Sequence, residues 1–152
     1  MATQGFFQRR TSVSAVGHNG VVRVSTKRIL LVASHNAFRE SLARRLSREA
    51  DLDVAWQAGS IAATRDMHLD GINVAVIDPL LPDGNGIVLI REMSAAYPDV
   101  LGLVFSHRPT SALYHQARRA GAADVLSTAV PLETCIDAIR RTGDYERQAF
   151  GQ

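Results

Sequence analysis

Asp78 is the residue whose position in this chain could support chemistry. It ends the apolar run 74–77 and is followed at once by the Pro- and Gly-containing turn 79–86. A carboxylate presented in this way can attack a phosphoryl group, provided that a metal ion or a cationic side chain neutralises the charge on that group. The first question is therefore which residues could assist Asp78.

Few residues in the sequence could bind a metal ion or supply a lysine cation beside Asp78. No acidic residue lies between Arg28 and Arg39, and Lys27 is the only lysine in the 152 residues. Because Mg²⁺ is held through carboxylates and waters, one aspartate is a poor site for it. We therefore expect Mg²⁺ binding to be weak or absent, and we predict no cofactor and no metal site.

Two histidines follow predicted strands near the same edge. His35 and His107 could join Asp78 in a transition-metal site, but they lack the close paired spacing typical of such sites. We interpret both as surface residues. His107 is followed by Arg108, and together they could make the crevice cationic, which we keep as a secondary hypothesis.

Composition indicates one domain with a segment at each end. With 46% hydrophobic residues the chain can form one packed core. A single cysteine excludes an internal disulfide, and no apolar run has the length of a membrane span. We predict a cytoplasmic protein with a basic N-terminal arm over 1–26, a domain over 27–142 and a short tail over 143–152. Five basic and no acidic residues lie in 1–28, but we assign the arm no function.

Alternating strand-like and helix-like patterns must position Asp78. Apolar runs predict strands over 29–33, 52–57, 72–77, 100–105 and 124–126. Asn36 is expected to cap the first helix, and further helices are predicted over 60–68, 86–96 and 110–120 and from Pro131. This order predicts an α/β fold, a doubly wound five-stranded parallel sheet with helices on both faces. In such sheets the functional crevice lies beyond the carboxyl ends of the strands.

Residues 27–142 resemble the receiver domain of bacterial two-component response regulators. The resemblance is carried by the opening 28–39, the second strand 51–59, the Asp-x-x-Leu-Pro-Asp-Gly-x-Gly turn of 78–86, and Ala-Gly-Ala-Ala at 120–123. The resemblance is strongest for the subfamily whose members carry a C-terminal LuxR-type helix-turn-helix. It implies a flavodoxin-like fold of the receiver type.

The resemblance also assigns site positions. It implies that Asp78 is the phosphoacceptor and that Ser106 is the switch residue contacting the phosphoryl oxygens. Four positions depart from the family pattern. Ala33 and Ser34 stand where the Mg²⁺-binding acidic pair is usual, Thr128 where a lysine is usual, and Val125 where a switch aromatic is usual.

We therefore predict an atypical receiver, a pseudo-receiver, that is not an enzyme and that signals through protein contact without depending on phosphorylation. One alternative is a receiver that accepts a phosphoryl group on Asp78 from a histidine kinase, and another is a flavodoxin-like module that binds a small ligand. The expected partner is a protein: a kinase, an output protein or a second copy in a homodimer. The basic pairs Arg118-Arg119 and Arg140-Arg141 either complement helix dipoles or present a basic face to it. We expect no nucleic-acid binding by this chain alone and no membrane association.

Overall fold

The computed structural model describes the backbone of residues 14–17, 20–23 and 26–150, and the side chains of residues 26–142. From Lys27 onward, strands and helices alternate. They are β1 Lys27–Val32, α1 Asn36–Leu46, β2 Leu52–Ala58, α2 Ile61–Arg65, β3 Val74–Ile77, α3 Gly86–Ala96, β4 Leu101–Ser106, α4 Ser111–Ala120, β5 Ala122–Ser127 and α5 Leu132–Phe150. Two-residue strands, Leu80–Leu81 and Gly84–Asn85, pair within the turn between β3 and α3.

The five main strands form one parallel sheet in the order β2-β1-β3-β4-β5. The predicted α/β fold, with its doubly wound five-stranded sheet, is confirmed. β3, which carries Asp78 at its carboxyl end, is the central strand. β2 lies at one edge of the sheet, since it pairs only with β1 among the described strands.

The sheet is covered on both faces because successive residues of its strands point to opposite sides. In β1, Leu30 and Val32 pack with residues of α2, α3 and α4. Ile29 and Leu31 pack with residues of α1 and α5. Both sets are almost fully buried, which explains why the strand sequence is continuously apolar rather than alternating.

Several predicted ends differ from the structure. Asn36 is not the N-cap of α1: His35 occupies that position without a side-chain cap bond, and the Asn36 Oδ1 accepts a hydrogen bond from Arg39 at 2.8 Å. α2 ends at Arg65 rather than near residue 68. β5 is twice as long as predicted, and α5 begins one residue after Pro131.

The predicted end of α4 is confirmed. Gly121 follows the helix with φ +111°, a left-handed conformation that glycine adopts without strain. A Cβ atom there would also lie 2.3 Å from the Ser94 Oγ. Backbone conformation and space both require glycine at this position.

The terminal segments are only partly described. Within the predicted arm, strands Ser14–Gly17 and Gly20–Arg23 pair as an antiparallel hairpin, and residues 1–13, 18–19 and 24–25 lie outside the described residues. Residues 143–150, which we predicted as a tail, instead continue α5. In the described part of the chain, none of the helices has the length and apolar character needed to cross a bilayer.

Candidate functional site

Asp78 lies at the carboxyl end of β3, in the middle of the sheet edge. Its N–H donates to the Val32 carbonyl at 2.9 Å, which keeps the backbone in register with β1. Its Oδ1 accepts the Leu80 N–H at 2.8 Å. Partial burial raises the pKa of the Asp78 carboxyl, and this effect exceeds the lowering by the Leu80 hydrogen bond and by His35 and His107.

The turn after Asp78 is held by close backbone packing. A Cβ atom on Gly86 would lie 2.3 Å from the Asp78 carbonyl oxygen and 3.0 Å from the Pro79 Cα. Gly86 also donates its N–H to the Pro79 carbonyl at 2.9 Å. Only glycine permits this approach, and it brings the start of α3 directly beneath Asp78.

Asp83, in the same turn, has a structural role. Its two carboxylate oxygens accept the N–H groups of Ile61 and Ala62, both at 2.9 Å. These backbone amides at the N-terminus of α2 lower the pKa of the Asp83 carboxyl. Asp83 therefore holds the N-terminus of α2 to the turn after Asp78.

Ser106 ends β4, the strand beside β3. Ile77 pairs with Val104, so Asp78 and Ser106 leave neighbouring strands on the same sheet edge. Ser106 is buried, and its Oγ accepts the Arg108 N–H at 3.1 Å. Its carbonyl accepts the Thr128 N–H at 3.0 Å, which places Thr128 at this edge as well.

Thr128 and His107 form a hydrogen-bonded pair at the position where the resemblance implies a lysine. The Thr128 Oγ1 and the His107 Nδ1 are 3.0 Å apart. Val125, three residues earlier in β5, is half-buried and packs against the α2, α3 and α4 side of the core. Neither Thr128 nor Val125 provides a cation of fixed charge at the Asp78 site.

Ala33 and Ser34 follow β1 and supply no carboxylate. The Ala33 carbonyl instead accepts a hydrogen bond from the guanidinium of Arg39. Sequence reasoning overlooked Arg39. The available signal was that it is the first cation after β1 and lies within the first turn of α1, close to the end of the strand.

The residues at this edge do not fit Mg²⁺. Among the residues with described side chains, no group of three or more histidine, cysteine or acidic residues could hold a metal ion. Around Asp78 lie imidazoles, hydroxyls and a guanidinium rather than the several oxygen ligands that Mg²⁺ requires. Weak or absent Mg²⁺ binding stays a prediction, and His35 and His107 act on Asp78 electrostatically.

Two cavities adjoin the site. The smaller measures about 10 Å³ and is lined by both Asp78 and Arg39, with Val32, Phe38 and Phe105 among its apolar walls. The larger is a cleft of about 250 Å³ between α1 and the start of α5, lined mainly by apolar side chains. Phe38 is 37% exposed and borders both cavities.

The arginine pairs of the late helices are partly used within the fold. Arg118 donates to the Ala123 carbonyl. Arg140 binds Asp51 at 2.7 Å and Glu49 at 2.8 Å, which ties α5 to the turn before β2. The hypothesis of a basic face on these helices is therefore reduced to Arg119 and Arg141, whose side chains are exposed.

Comparison with known proteins agrees with this geometry. The DNA-binding transcriptional activator DevR/DosR of Mycobacterium tuberculosis is 35% identical over 96 residues, which are 62% of this chain and 44% of that protein. The chain thus spans less than half the length of this relative.

Solved structures give the same fold. The receiver domain of the response regulator NarL from M. tuberculosis superposes with a TM-score of 0.73 at 22% identity, over 79% of this chain and 98% of that one. A LuxR-family response regulator from Aurantimonas sp. SI85-9A1 gives 0.73 at 26% identity, over 79% and 86%. The response regulator receiver domain family matches residues 29–140. The chain therefore belongs to the response regulator receiver domain family and is a receiver of two-component signalling.

Proposed function

We propose that this receiver signals through protein–protein contact without depending on phosphorylation of Asp78. The observation that carries the proposal is the set of residues around Asp78. Where a carboxylate pair and a lysine are expected, there are Ala33, Ser34 and a Thr128 that is hydrogen-bonded to His107. An aspartate accepts a phosphoryl group efficiently only when the developing charge is neutralised.

Each 1.4 kcal/mol of lost transition-state stabilisation slows a reaction about tenfold. Removing both a divalent ion and an ammonium group costs several such steps. Burial also raises the pKa of the Asp78 carboxyl, so the surroundings of Asp78 stabilise negative charge less well than water does.

Retention of Asp78 and Ser106 on adjacent strands supports the alternative function, a phosphoreceiver served by a histidine kinase. The two functions differ in one measurable outcome. Purified protein is incubated with Mg²⁺ and acetyl phosphate and then examined by intact-mass spectrometry, with Asp78→Asn as the matched control. We expect no adduct on either protein, and prompt, stoichiometric addition of one phosphoryl group to the wild type alone would refute the proposal.

The partner follows from the relatives. DevR/DosR is a DNA-binding transcriptional activator, and the match covers 44% of it, so we propose an output protein as the partner. Capture experiments with wild-type and Asp78→Asn baits then report on the mode of signalling. Equal recovery of the same partner by both baits is expected for phosphorylation-independent contact, whereas loss of the partner with Asp78→Asn contradicts it.

The remaining alternative, small-ligand binding, is connected with the cleft of about 250 Å³ beside α1. Its lining is mostly apolar, and residues 33–37 do not form the glycine-rich cradle that a phosphate-bearing ligand such as a flavin requires. An absorption spectrum of the purified protein without visible bands is expected under the leading proposal.

A further inference from the structure

Arg39 is the cationic side chain at the carboxyl end of β1, where the missing acidic pair would be. Its guanidinium donates to the Ala33 carbonyl and, at 2.8 Å, to the Asn36 Oδ1. The Arg39 Nη1 also lies 3.3 Å from where a Cβ atom on Gly59 would be. The guanidinium is therefore packed between the ends of β1 and β2, and it is not an extended surface side chain.

One hydrogen-bond donor of Arg39 remains unsatisfied. The Nε atom is fully buried, and within the described residues no acceptor lies within hydrogen-bonding distance of it. A buried donor on a charged group that makes no hydrogen bond is costly, because it has given up water without replacement. A native protein therefore normally supplies an acceptor, either from the chain or as an ordered water.

The cavity beside Arg39 has the right size for such a water. Its volume, about 10 Å³, is that of a single water site. Its walls are mainly apolar, and both Arg39 and Asp78 are among the residues that line it. A water needs at least two polar partners, and the Arg39 Nε–H as donor and the Asp78 carboxylate as acceptor are the two that we assign to it.

We propose that Arg39 is the fixed cation of the Asp78 site, coupled to the Asp78 carboxylate through one water held in this cavity. This inference rests on the proposed function and deepens it. The charge of Arg39 belongs to α1 and is present at every Mg²⁺ concentration, and it stabilises the Asp78 carboxylate rather than the charge that develops on an incoming phosphoryl group. Arg39 acts as a positioning residue for the carboxylate and takes no part in a reaction step.

The coupling predicts that the charge of Arg39 alters the acidity of Asp78. We would follow the Asp78 carboxyl by NMR titration without Mg²⁺ in wild type, Arg39→Gln, Arg39→Lys and the control Arg44→Gln, since Arg44 is exposed on the same helix. His35 and His107, whose charges lower the pKa of the Asp78 carboxyl, are unchanged in every variant.

We expect Asp78 to become about a tenfold weaker acid in Arg39→Gln, because an opposite charge within reach of one water favours the carboxylate. In Arg39→Lys we expect the acidity of Asp78 to stay close to that of the wild type, because the charge is kept. In Arg44→Gln we expect it to be unchanged. The proposal is overturned when the acidity of Asp78 in Arg39→Gln equals that in the Arg44→Gln control. It is also overturned when Asp78 is equally weak as an acid in Arg39→Lys and Arg39→Gln, because the shape of the side chain and not its charge would then be the cause.

A second measurement needs no change at Arg39 and so does not depend on how well its variants fold. In wild type, the Arg39 Nε–H resonance is expected to exchange slowly with solvent, and the isosteric Asp78→Asn variant is expected to shift it while leaving the Arg45 Nε–H unmoved. An Arg39 resonance that is identical in both proteins overturns the coupling. Neither measurement uses a phosphodonor, so its failure is distinguishable from failure of the proposed function.

Discussion

Replacing Asp78 with asparagine is expected to stabilise the protein at neutral pH. Partial burial raises the pKa of this carboxyl above its ordinary value of 3.8, so the folded state holds the proton more tightly than the unfolded state does. For such a group, stability is highest below the unfolded pKa and falls as pH rises through the folded pKa. Asparagine never ionises and does not incur this loss.

The size of the gain follows from the surroundings of the carboxylate. Full burial of an unpaired charge costs several kcal/mol. Asp78 is only partly buried and keeps one N–H donor, that of Leu80 at 2.8 Å, which asparagine Oδ1 can also accept. The proposed coupling to Arg39 offsets part of the burial cost, so we expect a net gain of at most about 1 kcal/mol, which raises the Tm of a domain of this size by up to about 3 °C.

Thermal unfolding of Asp78→Asn between pH 3 and pH 8 tests this sign, with Asp99→Asn as the exposed control. The gain is expected to be greatest at pH 7 and to vanish in acid below the ordinary carboxyl pKa of about 3.9. Asp83→Asn is expected to change the stability at neutral pH in the opposite direction. Asp83 accepts two helix amides and has a lowered pKa, so its contribution is present at neutral pH and is lost as pH falls. An Asp78→Asn variant that is less stable than wild type at pH 7 would refute the reasoning.

Two further substitutions test how the site is supported. Arg140→Ala breaks the ion pair with Asp51 at 2.7 Å. Because the pair is partly exposed, we expect the free energy of unfolding in urea to fall by about 1 kcal/mol. The adjacent Arg141→Ala is expected to change it little, and equal losses in the two variants would contradict this role for Arg140. Gly86→Ala puts a methyl group 2.3 Å from the Asp78 carbonyl oxygen. Because the obstructing atom is backbone, we expect a loss of at least about 2 kcal/mol by the same method, and wild-type stability would contradict the packing described for the turn.

The order of elements could be predicted because it depends on local pattern. Each central strand is continuously apolar, and each intervening helix begins near a turn residue such as Ser60, Asn85 or Thr110. All three of these side chains accept the expected N-terminal hydrogen bond. The prediction failed for Asn36 because the chain leaves β1 one residue earlier than assumed, which moves Asn36 from the cap into the first turn.

Contacts between distant residues could not be predicted. Arg140 binds Asp51 across 89 positions of sequence, so nothing in the local pattern around Arg140 distinguished an internal ion pair from an exposed basic face. Arg39 was missed for the same reason. The role proposed for Arg39 depends on the Ala33 carbonyl and on Asp78, which the parallel pairing of β1 with β3 brings to the same edge of the sheet. Asp78 was identified because its own turn motif is contiguous in sequence.

The residues that depart from the family pattern around Asp78 are better explained as one change in the charge balance of the site than as separate losses of individual ligands. With Ala33 and Ser34 in place of carboxylates, Asp78 is the acidic residue among those lining its cavity, and Arg39 is the basic one. One carboxylate and one guanidinium balance without any added ion. A carboxylate restored at position 33 would meet Arg39, which already bonds the backbone carbonyl there, and would form an ion pair before it could bind a metal. Under the proposed function, introducing phosphotransfer would therefore require altering Arg39 as well as positions 33, 34 and 128.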